Sequence, residues 1–588
     1  MASGTPEHTW LTGAYPFPLE VVTPMQPKTS TLLALLTTLG LSAAIPTLVS
    51  PLGARQPGHH AASHTEAKST APLFNKLGNY HHPVSTRNPQ AQRYFDQGLI
   101  LAYGFNHAEA ARSFKEAARL DPNCAMCYWG WAYVLGPNIN APMAPEAVPE
   151  AWRAVRKAVA LSKGASVRER AYIQALAKRY ASKPPQDRKP LDLAYARAMG
   201  EVARRYPADL DAATLYAEAL MDTSPWDYWQ PDGQPKPQAR QIIATLESVL
   251  ERKSDHPGAN HFYIHAVEKQ RPELGVAAAD RLITLVPGAG HLVHMASHIY
   301  IRVGRYPDAV LSNQRAIEAD DAYVASCHAQ GIYPLLYRPH NHHFLWFAAS
   351  MSGQSTVAME AARFTARVEP KLLRAPDLAG GLQHFSTIPT YTAVRFGKWD
   401  EILATPAPEA DLKYPTGVWH YAQGRAQLAK GQSEQTAQHL DKLRTIAEDP
   451  ELEKLKIWSF SPTGSLLKIA SEVLAGELAA GKGNYDEAVS HLQKAVQMED
   501  ALVYTEPAEW YQPTRQALAS ILLRAGRAEE AERIYRADLK LYPDNGWSLM
   551  GLTQSLQAQG KTAEAQSAQQ QFSKAWKTAD VTLSTSQF

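Results

Sequence analysis

A rhythm of small residues, one aromatic and a closing proline recurs along this chain and restricts its fold more than any other feature. In Tyr94–Pro122, YFDQGLILAYGFNHAEAARSFKEAARLDP, it places Gly98, Ala110, Phe114, Ala117 and Pro122. Small residues let two helices approach closely as a hairpin, and Phe114 fills the gap to the next hairpin. Pro122 ends the second helix because it lacks an N–H and its ring clashes with the preceding turn. The rhythm returns in Leu478–Val496 and Leu523–Pro543, and further copies pass through Val303–Ala316, Ser352–Ala362, Phe396–Leu403 and Gln557–Ala565. No stretch alternates apolar and polar residues over enough length for a sheet, so the expected fold class is all-α.

These spacings resemble the tetratricopeptide repeat family, and the resemblance covers most of the chain. It implies a helical-hairpin solenoid wound into a superhelix, with the first helix of each hairpin lining a concave groove. The phrases FNHAEAARSFKEAARLDP, YWGWAYVLGPNIN, HFYIHAVE, GAGHLVHMASHIYIRVGRY and PDNGWSLMGL also resemble, as a group, exported bacterial repeat proteins whose activity is not settled. The fit is weakest between Pro137 and Asp255, where Ala151–Ser162, Arg168–Tyr180 and Asp209–Asp222 are still expected to be helices. Two loops there, Gly136–Met143 and Pro225–Gly233, either lie over the groove as lids or cover exposed helix ends.

Composition narrows the function classes. Of 588 residues 45% are hydrophobic and 20% charged, which suits a folded chain, and a net charge of +2 without a basic block argues against nucleic acid as a partner. Three cysteines are too few for a disulfide-built scaffold. The chain reads as a mis-assigned extension over 1–24, a signal peptide over 25–54 and a flexible leader over 55–72. An N-terminal helical region follows over 73–255, then a central histidine-rich region over 256–410, a C-terminal repeat region over 411–577 and a tail over 578–588. The signal begins at Met25, with Lys28 ahead of an uncharged apolar run, so the protein is expected in a periplasm or secreted, without a membrane span after cleavage. An uncleaved anchor is the alternative, since the run approaches spanning length.

The central region carries the candidate site. The step from His261 to His294 equals the step from His265 to His298, about one hairpin. When the repeats are aligned on the turn glycines Gly304, Gly353 and Gly397, His291, His340 and His384 share one position. His294 and His343 share a second position, and His298 occupies a third. Stepping back one repeat brings His261, His265 and Glu268 onto the same helix face, since residues three or four apart lie on one side of a helix. By the resemblance, that face looks into the groove. Several imidazoles and one carboxylate converging there suit zinc, copper or iron, used for metal handling or for metal-dependent oxidation or hydrolysis. The other expectation is a scaffold that binds a peptide or partner protein in the same groove.

Other candidates are weaker. Cys124 and Cys127 form a CAMC motif at the expected start of a helix; a local disulfide or a pair of buried thiols is preferred over a redox couple, because no thioredoxin-like context surrounds them. Cys327 is expected as a buried thiol, His342 as packed, Tyr391 as facing the groove, His107 as bonding at a hairpin bend, and His59, His60 and His64 as solvated. No nucleophile elbow, P-loop or dinucleotide fingerprint is present.

Overall fold

In a computed structural model of the chain, residues 71–327 and 333–588 are described, all within the unit Lys68–Phe588. The expectations for residues 1–70, including the signal peptide and the leader histidines, lie outside the described residues, as does the Cys327 side chain. Among the described residues there are helices and three isolated β-bridges but no strand. No described helix is long and apolar enough to cross a membrane.

The first hairpin follows the packing logic of its residues. Asn88 caps the helix Pro89–Tyr103 by accepting from the backbone of Gln90 and Ala91, with Pro89 in the first turn, where a missing N–H is harmless. Asn106 caps the return helix, His107–Leu120, by accepting from Glu109 N. The ring of fully buried Phe114 lies where side chains at Gly98 and Gly130 would be, so both glycines are required for the two hairpins to close on it. At the turns that set the repeat register, Gly304, Gly353 and Gly397 all have positive φ, a conformation other residues adopt with strain.

Between Pro137 and Asp255 the helices run Val148–Leu161, Val167–Leu176, Lys189–Arg205, Leu210–Met221 and Pro237–Arg252. The three expected helices correspond to Val148–Leu161, Val167–Leu176 and Leu210–Met221, while Lys189–Arg205 and Pro237–Arg252 were not anticipated. Cys124 and Cys127 are joined by a disulfide.

Two long-range returns close the array around its centre. Trp547 donates from Nε1 to Ser350 O at 2.9 Å, and Asp580 accepts from the backbone of Ser355 and Thr356 at the start of the helix Ser355–Thr365. At the other end, Gly288 N donates to Lys76 O, and Phe74 packs on Tyr323. The central hairpins are thus enclosed by both ends of the described chain.

Candidate metal centre

The helix Pro257–Val267 carries His261 and His265 one turn apart, with Glu268 at its C-terminal cap. The next hairpin begins with two short helices, Gly290–His294 and Ala296–Arg302, which hold His291, His294 and His298. The break between them is a tighter turn: His298 N bonds to Met295 O, and the freed carbonyl of His294 is taken by Ser297 Oγ at 2.7 Å. His340 and His343 lie on the helix Arg338–Met351 and His384 on Ala379–Arg395.

Six of these rings form one continuous cluster. Ring centroids are 4.9 Å apart for His261 and His265, 5.0 Å for His261 and His291, 4.9 Å for His294 and His298, and 4.9 Å for His294 and His340. His265 and His298 join the two halves at 5.5 Å, and His291 and His294 at 5.7 Å. His343 and His384 stand apart as a pair at 5.8 Å, with Trp346 stacked on His343 and the Tyr414 hydroxyl 2.9 Å from His384 Nδ1. His342 stacks on Phe364, and Tyr391 lies against Tyr511.

The cluster does not face open solvent. His261, His265, His291, His294 and His298 are each no more than 5% exposed, and only His340 is partly exposed. The covering residues come from distant parts of the sequence. Phe105 lies 4.6 Å from His261, 6.1 Å from His265 and 5.7 Å from His291, centroid to centroid. Phe105 holds a φ of 54°, a strained conformation for a bulky side chain. Trp226 stands edge-on to His265 at 5.1 Å and donates from Nε1 to Ile139 O, so the two long loops noted in the sequence meet above the histidines. Phe344 packs on His294 and His298, and Glu506 reaches in from the C-terminal region. At this level the inner face of the array is filled by side chains.

Hydrogen bonding fixes the tautomers. His261 Nδ1 is 2.5 Å from Tyr103 O, an atom that can only accept, so Nδ1 carries the hydrogen. His265 Nδ1 donates to Glu268 Oε1 at 3.1 Å, and His298 Nδ1 pairs with Glu268 Oε2 at 2.8 Å and Glu506 Oε2 at 2.9 Å. Asn313 Nδ2 donates to Ala309 O, which turns Asn313 Oδ1 toward His294 Nδ1 at 2.7 Å. In their neutral forms all four rings therefore present a bare Nε2 to the interior. Among the described residues, His261 Nε2 and His265 Nε2 find no hydrogen-bond partner, and neither does either nitrogen of His291. A metal-ligating histidine is commonly held in this way, with one nitrogen anchored by a carbonyl or carboxylate and the other free for the ion.

The electrostatics maintain this state. Burial, and then the neighbouring imidazoles, push His261, His291 and His294 well below the ordinary histidine value, and burial takes His340 down to about 3. Burial also opposes charge on His298, but Glu268 and Glu506 outweigh it and lift His298 to about 9. Glu268 is held well below the usual carboxylate range by His265 and His298 against the penalty of burial. The result is a group of neutral nitrogen donors, His261, His291, His294 and His340, beside a protonated His298 paired with the Glu268 anion; binding a metal on His298 would displace that proton.

A second polar cluster reads differently. Asp211 accepts from His82 Nδ1 at 2.6 Å, Tyr80 Oη at 2.7 Å and Tyr103 Oη at 2.5 Å, and lies 3.3 Å from His256 Nε2. Its oxygens are already occupied, so this is a hydrogen-bonded support rather than a site. It holds Tyr103, whose carbonyl orients His261.

Tyr103, Trp226, Asn313 and Glu506 were not among the candidate site residues read from the sequence. Trp226 belongs to the aromatic loop noted there, and Phe105 to the turn beside His107. Asn313 and Glu506 carried no sequence signal.

Fold and cluster together define a tetratricopeptide-like helical-hairpin array closed over a buried polyhistidine cluster. No family model matches the chain, and no curated protein matches it. Among solved structures it is similar to tetratricopeptide-repeat proteins at 11–13% identity. One is the APC/C hetero-tetramer Cut9–Hcn1, with 13% identity, coverage of 80% of this chain and 78% of that one, and a TM-score of 0.29. Another is the human IFIT1 dimer with m7Gppp-AAAA, at 12%, 85% and 92%, with a TM-score of 0.26. A third is the TPR domain of P58(IPK), at 11%, 80% and 99%, with a TM-score of 0.21. Scores this low carry nothing about activity or partner.

Proposed function

We propose that this is an exported repeat protein whose central hairpins hold a transition metal, copper, zinc or iron, on buried histidines. The metal is carried as such or serves in metal-dependent oxidation or hydrolysis. One observation carries the reading: four buried imidazoles have Nδ1 anchored to a protein acceptor while Nε2 is turned into a shared interior. Leaving the Nε2 atoms of His261 and His265 without a partner among the described residues costs about 1–3 kcal/mol each, a penalty that coordination would remove. The Cys124–Cys127 disulfide suits the oxidising compartment that export implies.

The bound group would be held by His261, His265, His291, His294, His298 and His340, with Glu268 orienting two of them. Glu506 borders a cavity of about 140 Å³ lined also by Arg302, Tyr504, Glu509 and Trp510, which supports an approach to the cluster from that side. The scaffold reading, a peptide or protein partner in the groove, draws support from the repeat architecture but finds the inner face occupied beside the histidines.

The test is metal analysis of full-length protein purified without a His-tag, before and after loading with copper(II), zinc(II) or iron(II). The reading expects at least one tightly held equivalent. Less than a few tenths of an equivalent of every metal after loading rejects it.

A further inference from the structure

We infer that the cluster is built for two ions, each held by a histidine triad that the hairpin repeat generates twice; this rests on reading the cluster as a metal centre. The first triad is His261, His265 and His291, and the second is His294, His298 and His340. Within each, one nitrogen per residue lies within 4.8 Å of the others. The two are the same construction shifted by one hairpin: two histidines one turn apart on a first helix, completed by the leading histidine of the next hairpin. His265 is to His261 as His298 is to His294, and His291 completes the first triad as His340 completes the second.

The next step of the repeat tests this rule within the molecule. His343 and His384 take the first and third places of a third triad, but the middle place is Phe347. There the rings remain neighbours at 5.8 Å, and no group of three metal-ligating atoms forms. The structure thus contains two complete copies and one interrupted copy.

Glu268 explains why the two triads stay separate while touching. It spends one oxygen on His265 Nδ1 and the other on His298 Nδ1, one ring from each triad, at hydrogen-bonding and ion-pairing distances of 3.1 and 2.8 Å. His265, Glu268 and His298 also bring ligand atoms within 4.8 Å of one another, but both Glu268 contacts use the outward nitrogens, so in this proposal Glu268 is a positioning residue shared by two sites and not a ligand of one ion between them. His294 Nε2 and His298 Nε2, at 3.1 Å, are close to the spacing of about 3.3 Å expected of two nitrogens tetrahedrally bound at about 2.0–2.1 Å to a common ion.

The experiment is the stoichiometry of copper(II) retained by tag-free, full-length protein after removal of loosely bound ions with a weak chelator, read by mass spectrometry and by electron paramagnetic resonance. Two equivalents are expected in the parent protein, with a spectrum weakened by coupling between the ions. His291→Ala and His340→Ala should each retain one equivalent and recover an isolated copper signal. His291→Gln and His340→Gln, checked for unchanged helicity, guard against loss through misfolding, and the parent stoichiometry stands without any variant. One equivalent in the parent, abolished by either substitution, overturns the two-ion inference and leaves the metal reading intact. No retained copper, zinc or iron overturns both.

Discussion

His294 and His298 face each other Nε2 to Nε2 at 3.1 Å, each with its other nitrogen committed to the protein, His294 to Asn313 and His298 to Glu268 and Glu506. Two bare lone pairs at that distance repel, so the contact needs a proton or a cation between them. The carboxylates that lift His298 keep a proton on this pair, and under the proposed function a bound metal would replace it.

Glu268→Gln tests the shared carboxylate. Glutamine keeps the shape but removes the charge that orients His265 and His298. Metal affinity, measured by competition with a chromophoric chelator, should fall by about 10–100-fold with helicity unchanged. Unaltered affinity would mean that Glu268 only packs.

Phe105 both covers the first triad and holds a strained backbone. Phe105→Ala should cost about 3–5 kcal/mol, the usual range for a buried phenylalanine, and should speed removal of metal by a chelator. Phe105→Leu, which keeps most of the volume, should lie well below that cost. Chemical denaturation and stopped-flow chelation measure the two effects separately.

Asp211 supports the site through Tyr103. Asp211→Ala should destabilise the fold by about 3–5 kcal/mol, because it strands two histidines and two tyrosines in the interior. The pH dependence has a definite sign. The Asp211 carboxyl is depressed on folding: against the penalty of burial, the charge of His82 is the largest lowering influence. Its stabilisation is therefore present above the unfolded value of about 3.9 and lost as pH falls through the lower folded value. His82 is raised by Asp211 despite burial, so its contribution is complete below about 6.5 and is lost as pH rises through its folded value. The stability gap between the parent and Asp211→Asn should be widest between about pH 4 and pH 6.5. A gap independent of pH would contradict this.

His343→Ala and His384→Ala should leave the metal content unchanged. They form the interrupted copy, where Phe347 replaces the middle histidine and Tyr414 engages His384. Loss of an equivalent in either variant, measured by mass spectrometry, would place them in the first shell.

Helical hairpins were legible in the sequence because they follow from local, periodic choices: small residues such as Gly98 and Ala110 around Phe114, a proline closing the second helix, and glycine at the turns. The histidine positions were legible for the same reason, since a repeat copies a helix face. What the repeat could not convey was closure. Phe105, Trp226 and Glu506 reach the cluster from outside its own hairpins, and their arrival depends on how far the array turns back on itself. The sequence reading therefore placed the histidines on an open groove, whereas the structure buries all but His340 of the six clustered rings. The division of nine candidates into two triads, one shared carboxylate and one separate pair also needed distances.

The most direct test of the central claim is X-ray absorption at the metal edge of loaded, tag-free protein. The account expects a first shell of about three nitrogens at about 2.0–2.1 Å, with the outer-shell scattering of imidazole rings. A shell of oxygen alone, without imidazole scattering, would contradict it.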